Sequence, residues 1–204
     1  YQRFVIEGAH WEVAESECQG CNNGYPYPQS HYTHYFKLEG DTNENSVIYK
    51  KLYQSIEGDL EPNGHDVYHT CIPWTLTALL REDTLTKKVF IVGSLSYLYP
   101  VCGIASSVDT LLFDFSLSQG DSLNPIGCYD SLHIVDSVKY YTLQTYNTHV
   151  GWQSWTRRTQ FVYPRNQFAV QGYRMFEGIG PSFGLFGRPG EQFEEVYGTS
   201  LMSY

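Results

Sequence analysis

Residues 35–53 read YFKLEGDTNENSVIYKKLY, two runs rich in Tyr, Phe, Leu, Val and Ile on either side of a polar Gly-Asp-Asn segment. Aromatic and β-branched side chains fit a pleated, half-buried surface. Gly, Asn and Asp tolerate the left-handed backbone of a tight turn. The stretch therefore predicts a long β-hairpin. Its second strand alternates, with Ile48, Lys50 and Leu52 on one side and Val47, Tyr49, Lys51 and Tyr53 on the other.

Working outward, the same pattern recurs. Leu76, Ala78 and Leu80 alternate with polar neighbours, Arg81-Glu82-Asp83-Thr84 reads as a turn, and Lys88-Val89-Phe90-Ile91-Val92 completes a second hairpin. Leu111, Phe113, Phe115 and Leu117 alternate with Asp114, Ser116 and Ser118, which predicts a strand with one buried face, stopped by Gln119-Gly120-Asp121. Residues 133–146, 155–163 and 168–177 are further strand candidates, and the Gly-rich GIGPSFGLFGRPG follows. A loop is expected from Glu57 to Cys71 and a connection from Gly93 to Val108. No window sustains a 3.6-residue apolar period with caps.

The expected fold is all-β: a single antiparallel meander of about ten strands curled into a barrel or two-layer sandwich, with little or no helix. A single domain covers residues 1–204. Residues 1–34 are expected to form an irregular Cys-, Tyr- and Pro-rich segment packed on it, because Pro26 and Pro28 exclude a helix and disfavour a central strand.

At 204 residues and 42% hydrophobic content the chain can bury a sizeable core. A formal net charge of −9 argues against a nucleic-acid partner and against docking on anionic lipid. The apolar runs fall far short of the roughly 20 residues that span a bilayer, so no membrane insertion is expected. The sequence opens at Tyr1 with no basic-then-apolar leader, which reads as a mature protein whose signal peptide has been removed. Cys18, Cys21, Cys71, Cys102 and Cys128 fit an oxidising compartment and are the disulfide candidates; their odd number leaves at least one thiol unpaired and their pairing open. Cys18 and Cys21 have CxxC spacing, but no second pair completes a zinc site and no helix follows to activate a thiol.

Other constellations carry little chemistry. His65-x-x-x-His69 lacks a helix to share, given Pro62 and Gly64, and with His31 and His34 it reads as solvated loop histidine. Asp41-x-Asn43-x-Asn45 begins like a calcium loop but lacks its Gly and has Leu52 where the bidentate Glu belongs. No metal and no cofactor are expected. There is no nucleophile elbow and no phosphate-cradling loop, so no catalytic residue is assigned. Asp114, between strong apolar residues, faces outward or, if buried, must be paired. The remaining signal is aromatic. Tyr25, Tyr27, Trp74, Trp152 and Trp155 are the candidate ligand contacts, since exposed rings stack on sugar faces or anchor a protein partner.

Four blocks in order, GDTNENSVIYKKLY, ALLREDTLTKKVFIV, LLFDFSLSQGDSL and FEGIGPSFGLF, resemble a broad group of secreted Bacteroidetes β proteins. Members of this group are often exported with a C-terminal type IX secretion sorting domain. The resemblance implies an exported protein, secreted or displayed on the outer-membrane surface, and transfers no catalytic residue. The Cys-rich N-terminal loop and the connection around Cys102 depart from the group's pattern.

The expected function is an exported binding or surface-interaction module with a glycan or protein partner. The alternatives are a secreted hydrolase acting on glycans and a structural domain accompanying an export signal. A cleft holding two carboxylates with displaced titration favours the hydrolase; an aromatic surface without one favours binding.

Overall fold

The computed structural model describes residues 1–18, 29–60, 68–94, 105–123, 133–147, 151–164 and 172–181. The first sheet comprises β1 (His10–Cys18), β2 (Gln29–Glu44), β3 (Val47–Leu60), β4 (Tyr68–Asp83), β5 (Lys88–Ser94) and β6 (Ala105–Asp114), in chain order. The second comprises β7 (Ser122–Leu123), β8 (His133–Asn147), β9 (Gly151–Pro164), β10 (Tyr173–Phe176) and β11 (Gly180–Pro181), also with sequential neighbours paired. The pairings are antiparallel, and no helix occurs among the described residues. The all-β expectation holds. The single meander is corrected to two, and among the described residues neither sheet closes into a barrel.

The break between the sheets has a local cause. Asp114 Oδ1 accepts a hydrogen bond from Ser116 N at 2.9 Å, and Asp121 Oδ2 accepts one from Ser118 N at 2.8 Å. These side chains replace ladder partners and bend the chain away. The expected strand through Leu117 therefore ends at Asp114.

In the opening hairpin the tip is Asn45-Ser46, both with positive φ (52° and 67°), flanked by the Glu44–Val47 pair. This is the primed-turn geometry that matches strand twist. Gly40, with φ 74°, lies instead at a bulge where the register slips between Leu38 and Asp41. Strand pairing also extends further than side-chain alternation indicates. β1 reaches Cys18 and pairs with a β2 that opens at Gln29, inside the segment expected to be irregular. Likewise Glu57 pairs with Cys71, which shortens the expected Glu57–Cys71 loop. Pro73 lies within β4, where the register slips between the partners of Gln54 and Ile56 and no ladder N–H is required.

One apolar cluster joins both sheets. Phe36, Leu38, Leu52, Ala78, Leu80, Val89, Ile91 and Phe113 come from the first sheet, and Val135, Val162 and Met175 from the second. Phe4, from the arm preceding β1, sits in the middle of it. Its ring lies 5.2 Å from Trp11, 5.2 Å edge-on from Phe113 and 6.2 Å from Phe115. The arm is held by Glu82 of β4, whose side chain is only 1% exposed. That carboxylate accepts Phe4 N at 2.8 Å, Val5 N at 3.3 Å and the Tyr1 hydroxyl. Burial and this neighbouring carboxylate push the Tyr1 phenol well above its usual range. Further along, Leu38 exchanges main-chain bonds with Gly8 and Ala9, and Lys50 bridges Glu7 and Asp41.

Across the inter-sheet seam, the Arg158 guanidinium donates to the carbonyls of Phe115 and Leu117, and Gln160 Nε2 donates to Asp114 O and Leu117 O. Val135 adds main-chain bonds to Gly120 and Asp121. His133 is buried beside this seam, and burial holds its ring below its ordinary pKa near 6.5.

Phe4→Ala is expected to cost about 3–5 kcal/mol in denaturant unfolding, because the ring occupies the centre of a shared core. For His133, the unfolded chain binds a proton that the folded chain resists. Its contribution to stability is complete above the unfolded pKa and is lost as pH falls through and below about 6.5. Unfolding midpoints at pH 7 and pH 5 should therefore differ less in His133→Gln than in the parent chain.

Candidate functional site

Two bulges decide what the first sheet shows to solvent. Leu52 pairs with Ala78, but the next residue, Tyr53, pairs with Leu76, skipping Thr77. Val89 pairs with Phe113, but Phe90 pairs with Leu111, skipping Leu112. Directly paired residues share a face, so Leu76 and Leu111 leave the core side and join Tyr53 and Phe90. Both leucines are exposed, as is Trp74 at 45%. Lys37 Nζ stands over the Trp74 ring at 4.7 Å and the Tyr53 ring at 5.8 Å, and its amine also meets Glu39 at 2.5 Å.

Further along this sheet Tyr49, Arg81 and Asp109 form a network. Tyr49 Oη donates to Asp109 Oδ1 at 2.9 Å, Arg81 Nε donates to Oδ2 at 2.6 Å, and the guanidinium lies 4.0 Å from the Phe90 ring centre. Burial, then the bond to Asp109, raises the Tyr49 pKa, so its hydroxyl remains a donor. These groups satisfy one another.

The second sheet carries a different surface. The register pairs Tyr141 with Arg157, Leu143 with Trp155, Lys139 with Thr159 and Ser137 with Phe161. On β10, Arg174 pairs with Phe161. These ladder positions share one face, opposite Val135, Val162 and Gln160. Arg174 places its guanidinium 5.6 Å from the Tyr141 ring and 5.5 Å from the Phe161 ring, and Lys139 Nζ is 5.6 Å from Phe161. The two rings are 5.5 Å apart. Tyr163, 49% exposed, extends the face, and a Cβ added at Gly172 would lie 2.3 Å from its ring, so that glycine lets the ring lie flat on the backbone. Arg157 and Arg174 thus share ladder positions with rings and Lys139 lies over the Phe161 ring, while the exposed Asp136 stands at the bulge between Val135 and Ser137. A chain of net charge −9 has here a locally cationic, aromatic surface.

The sequence-derived ring set is divided by this architecture. Trp74 lies on the first sheet and half-buried Trp155 on the second. Trp152 pairs through its backbone with Tyr146; its side chain, Tyr25 and Tyr27 lie outside the described residues. Lys37, Tyr53, Tyr141, Phe161 and Arg174 were not legible as partners, because only cross-strand register brings them together.

Of the disulfide candidates, Cys71 is exposed, opposite Glu57, and a free thiol. Among the described residues there is no disulfide; the side chains of Cys18, Cys21, Cys102 and Cys128 lie outside them. His34, read as a solvated loop residue, is instead buried in β2, with Gln54 Nε2 3.1 Å from its Nδ1. His69 is exposed, 3.5 Å from Glu57. Among the described residues no three metal-ligating side chains gather, and no helix is long and apolar enough to cross a membrane.

Asp114 is the paired case. Its side chain is 10% exposed, 3.4 Å from Lys88 Nζ, and accepts both the amide and the hydroxyl of Ser116. The Lys50 ammonium lowers the Glu7 pKa, and the Thr86 hydroxyl, then its amide, lowers that of Asp83. Both shifts favour the carboxylate anion, the opposite of what a general acid requires. Comparison with family models, curated proteins and solved structures finds no match for this chain.

Asp109→Ala should cost about 1–2 kcal/mol, since it strands the Tyr49 hydroxyl and the Arg81 guanidinium together. Tyr49→Phe should cost less, and a double-mutant cycle read by thermal unfolding should show the two to be coupled.

Proposed function

We propose that this chain is an exported, non-catalytic recognition module that binds an acidic glycan along the outward face of β8, β9 and β10. The observation that carries this reading is the placement of Tyr141, Trp155, Phe161 and Tyr163 on one face with Lys139, Arg157 and Arg174. Flat rings offer stacking surfaces for sugar rings, and fixed cations recognise carboxylate or sulfate substituents. Rigid strands hold both at low ordering cost. The export part of the reading is supported by the four ordered sequence blocks and their resemblance to secreted Bacteroidetes β proteins. The two sheets are read here as the layers of a sandwich, which leaves this outer face open to a ligand.

The test is an array of neutral, uronic-acid-containing and sulfated polysaccharides, followed by titration of any hit. Tyr163→Ala and Arg174→Ala should each weaken binding of an acidic glycan about tenfold, the scale of one lost ring stack or charge-assisted hydrogen bond. Trp74→Ala, on the other sheet, should leave it unchanged. Equal binding by both second-sheet variants, or shortening of the polysaccharide on incubation, would overturn the reading.

A further inference from the structure

A cleft of about 390 Å³ opens at the seam of the two sheets, away from the ring-bearing face. Its walls are Leu85, Thr86, Lys87 and Lys88 from the β4–β5 turn, Ser116 from the bend after β6, and Arg158 from β9. Three cations line it, in a chain whose formal charge is −9. Arg158 is immobilised by its bonds to the Phe115 and Leu117 carbonyls, so its charge is fixed in the wall. Lys88 is partly balanced by Asp114 at 3.4 Å, and Lys87 Nζ lies 5.8 Å from the Tyr1 ring, a weak hold on an ammonium group.

Lys87 supplies an independent observation. Its φ is +58°, in the left-handed region where a turn ordinarily carries Gly or Asn. A lysine there is disfavoured by the clash of its Cβ with the backbone. The turn itself is well made: Asp83 Oδ1 accepts the amides of Leu85 and Thr86, and Phe115 N donates to Lys87 O. A strained position that places an amine at the mouth of a cationic cleft is the kind of local cost that functional sites retain.

We infer that this cleft is an oxyanion site, taking the phosphate, sulfate or carboxylate group of an acidic ligand between Lys87, Lys88 and Arg158. Lys87 and Lys88 approach from the turn, and Arg158 supplies charge from the opposite wall. Thr86 and Ser116 also line the cleft, with their hydroxyls bonded to Asp83 and Asp114. In a chain of net charge −9 the cleft is a local reversal of sign, which favours uptake of an anion there.

Inorganic phosphate, sulfate and acetate, titrated separately into the full chain by calorimetry, separate the three sources of the charge. At least one should bind saturably, with affinity falling as sodium chloride is raised. Lys87→Gly should weaken that binding about tenfold, the scale of one charge-assisted bond, while raising the melting temperature because the left-handed strain is relieved. Lys88→Gln should weaken it without the gain in melting temperature. Tyr163→Ala should not change it. Absence of saturable binding by all three anions, or equal affinity in the parent chain and Lys87→Gly, overturns the assignment.

Discussion

The fold depends on one buried carboxylate. Glu82 lies at the end of β4 with its side chain closed off from solvent, and takes up the Phe4 and Val5 amides and the Tyr1 hydroxyl. Desolvating a carboxylate is expensive unless its lone pairs are filled, and here the arm's own donors fill them. The arrangement serves both partners. The arm has no strand neighbour at these residues to satisfy its amides, and it also supplies the carboxylate's counter-charge, with Arg3 Nε 3.5 Å from Glu82 Oε2. Holding the arm in place delivers Phe4 to the centre of the apolar cluster, where it touches Trp11, Phe113 and Phe115. Without that ring, the inner faces would enclose a void, and protein interiors tolerate voids poorly.

The second sheet is attached by polar as well as apolar means. It gives three residues to the shared cluster, whereas Arg158 and Gln160 capture carbonyls from the 114–117 bend. These carbonyls lost their ladder partners when the chain left β6, so the seam fills acceptors that the break created. The same geometry makes the cleft. Arg158 must lie against the bend to bind it, and the β4–β5 turn is tied to that bend through the Phe115–Lys87 main-chain bond. Structural clamp and cationic wall are therefore the same side chain. Substitution of Arg158 would confound the two roles, whereas Lys87 and Lys88 stand outside the clamp.

The two outer faces combine charges and rings differently. On the first sheet, Tyr49, Arg81 and Asp109 close on one another, and Lys37 is divided between Glu39 and two rings. On the second, Lys139 and Arg174 lie over rings, with the exposed Asp136 as the neighbouring acid. A cation over a ring face retains most of its charge toward solvent.

The sequence by itself determined the all-β class and most strand positions, because alternating aromatic and β-branched residues can satisfy a pleated surface and little else. It also showed the β4–β5 hairpin, with its turn placed a few residues early, and the strands at 133–146 and 155–163, though not that they pair. It could not show the division into two sheets, since that follows from Asp114 and Asp121 capturing amides two and three residues away. Nor could it show that Glu82, which reads as a turn residue, is buried, because its partners lie almost eighty positions earlier in the chain. Leu76 and Leu111 look like core residues by alternation, yet a single skipped residue in the register turns each to the outside. The candidate faces were legible only as isolated rings such as Trp74 and Trp155. Which rings lie beside which cations is set by cross-strand register, a long-range property that depends on bulges and packing and that no local pattern encodes.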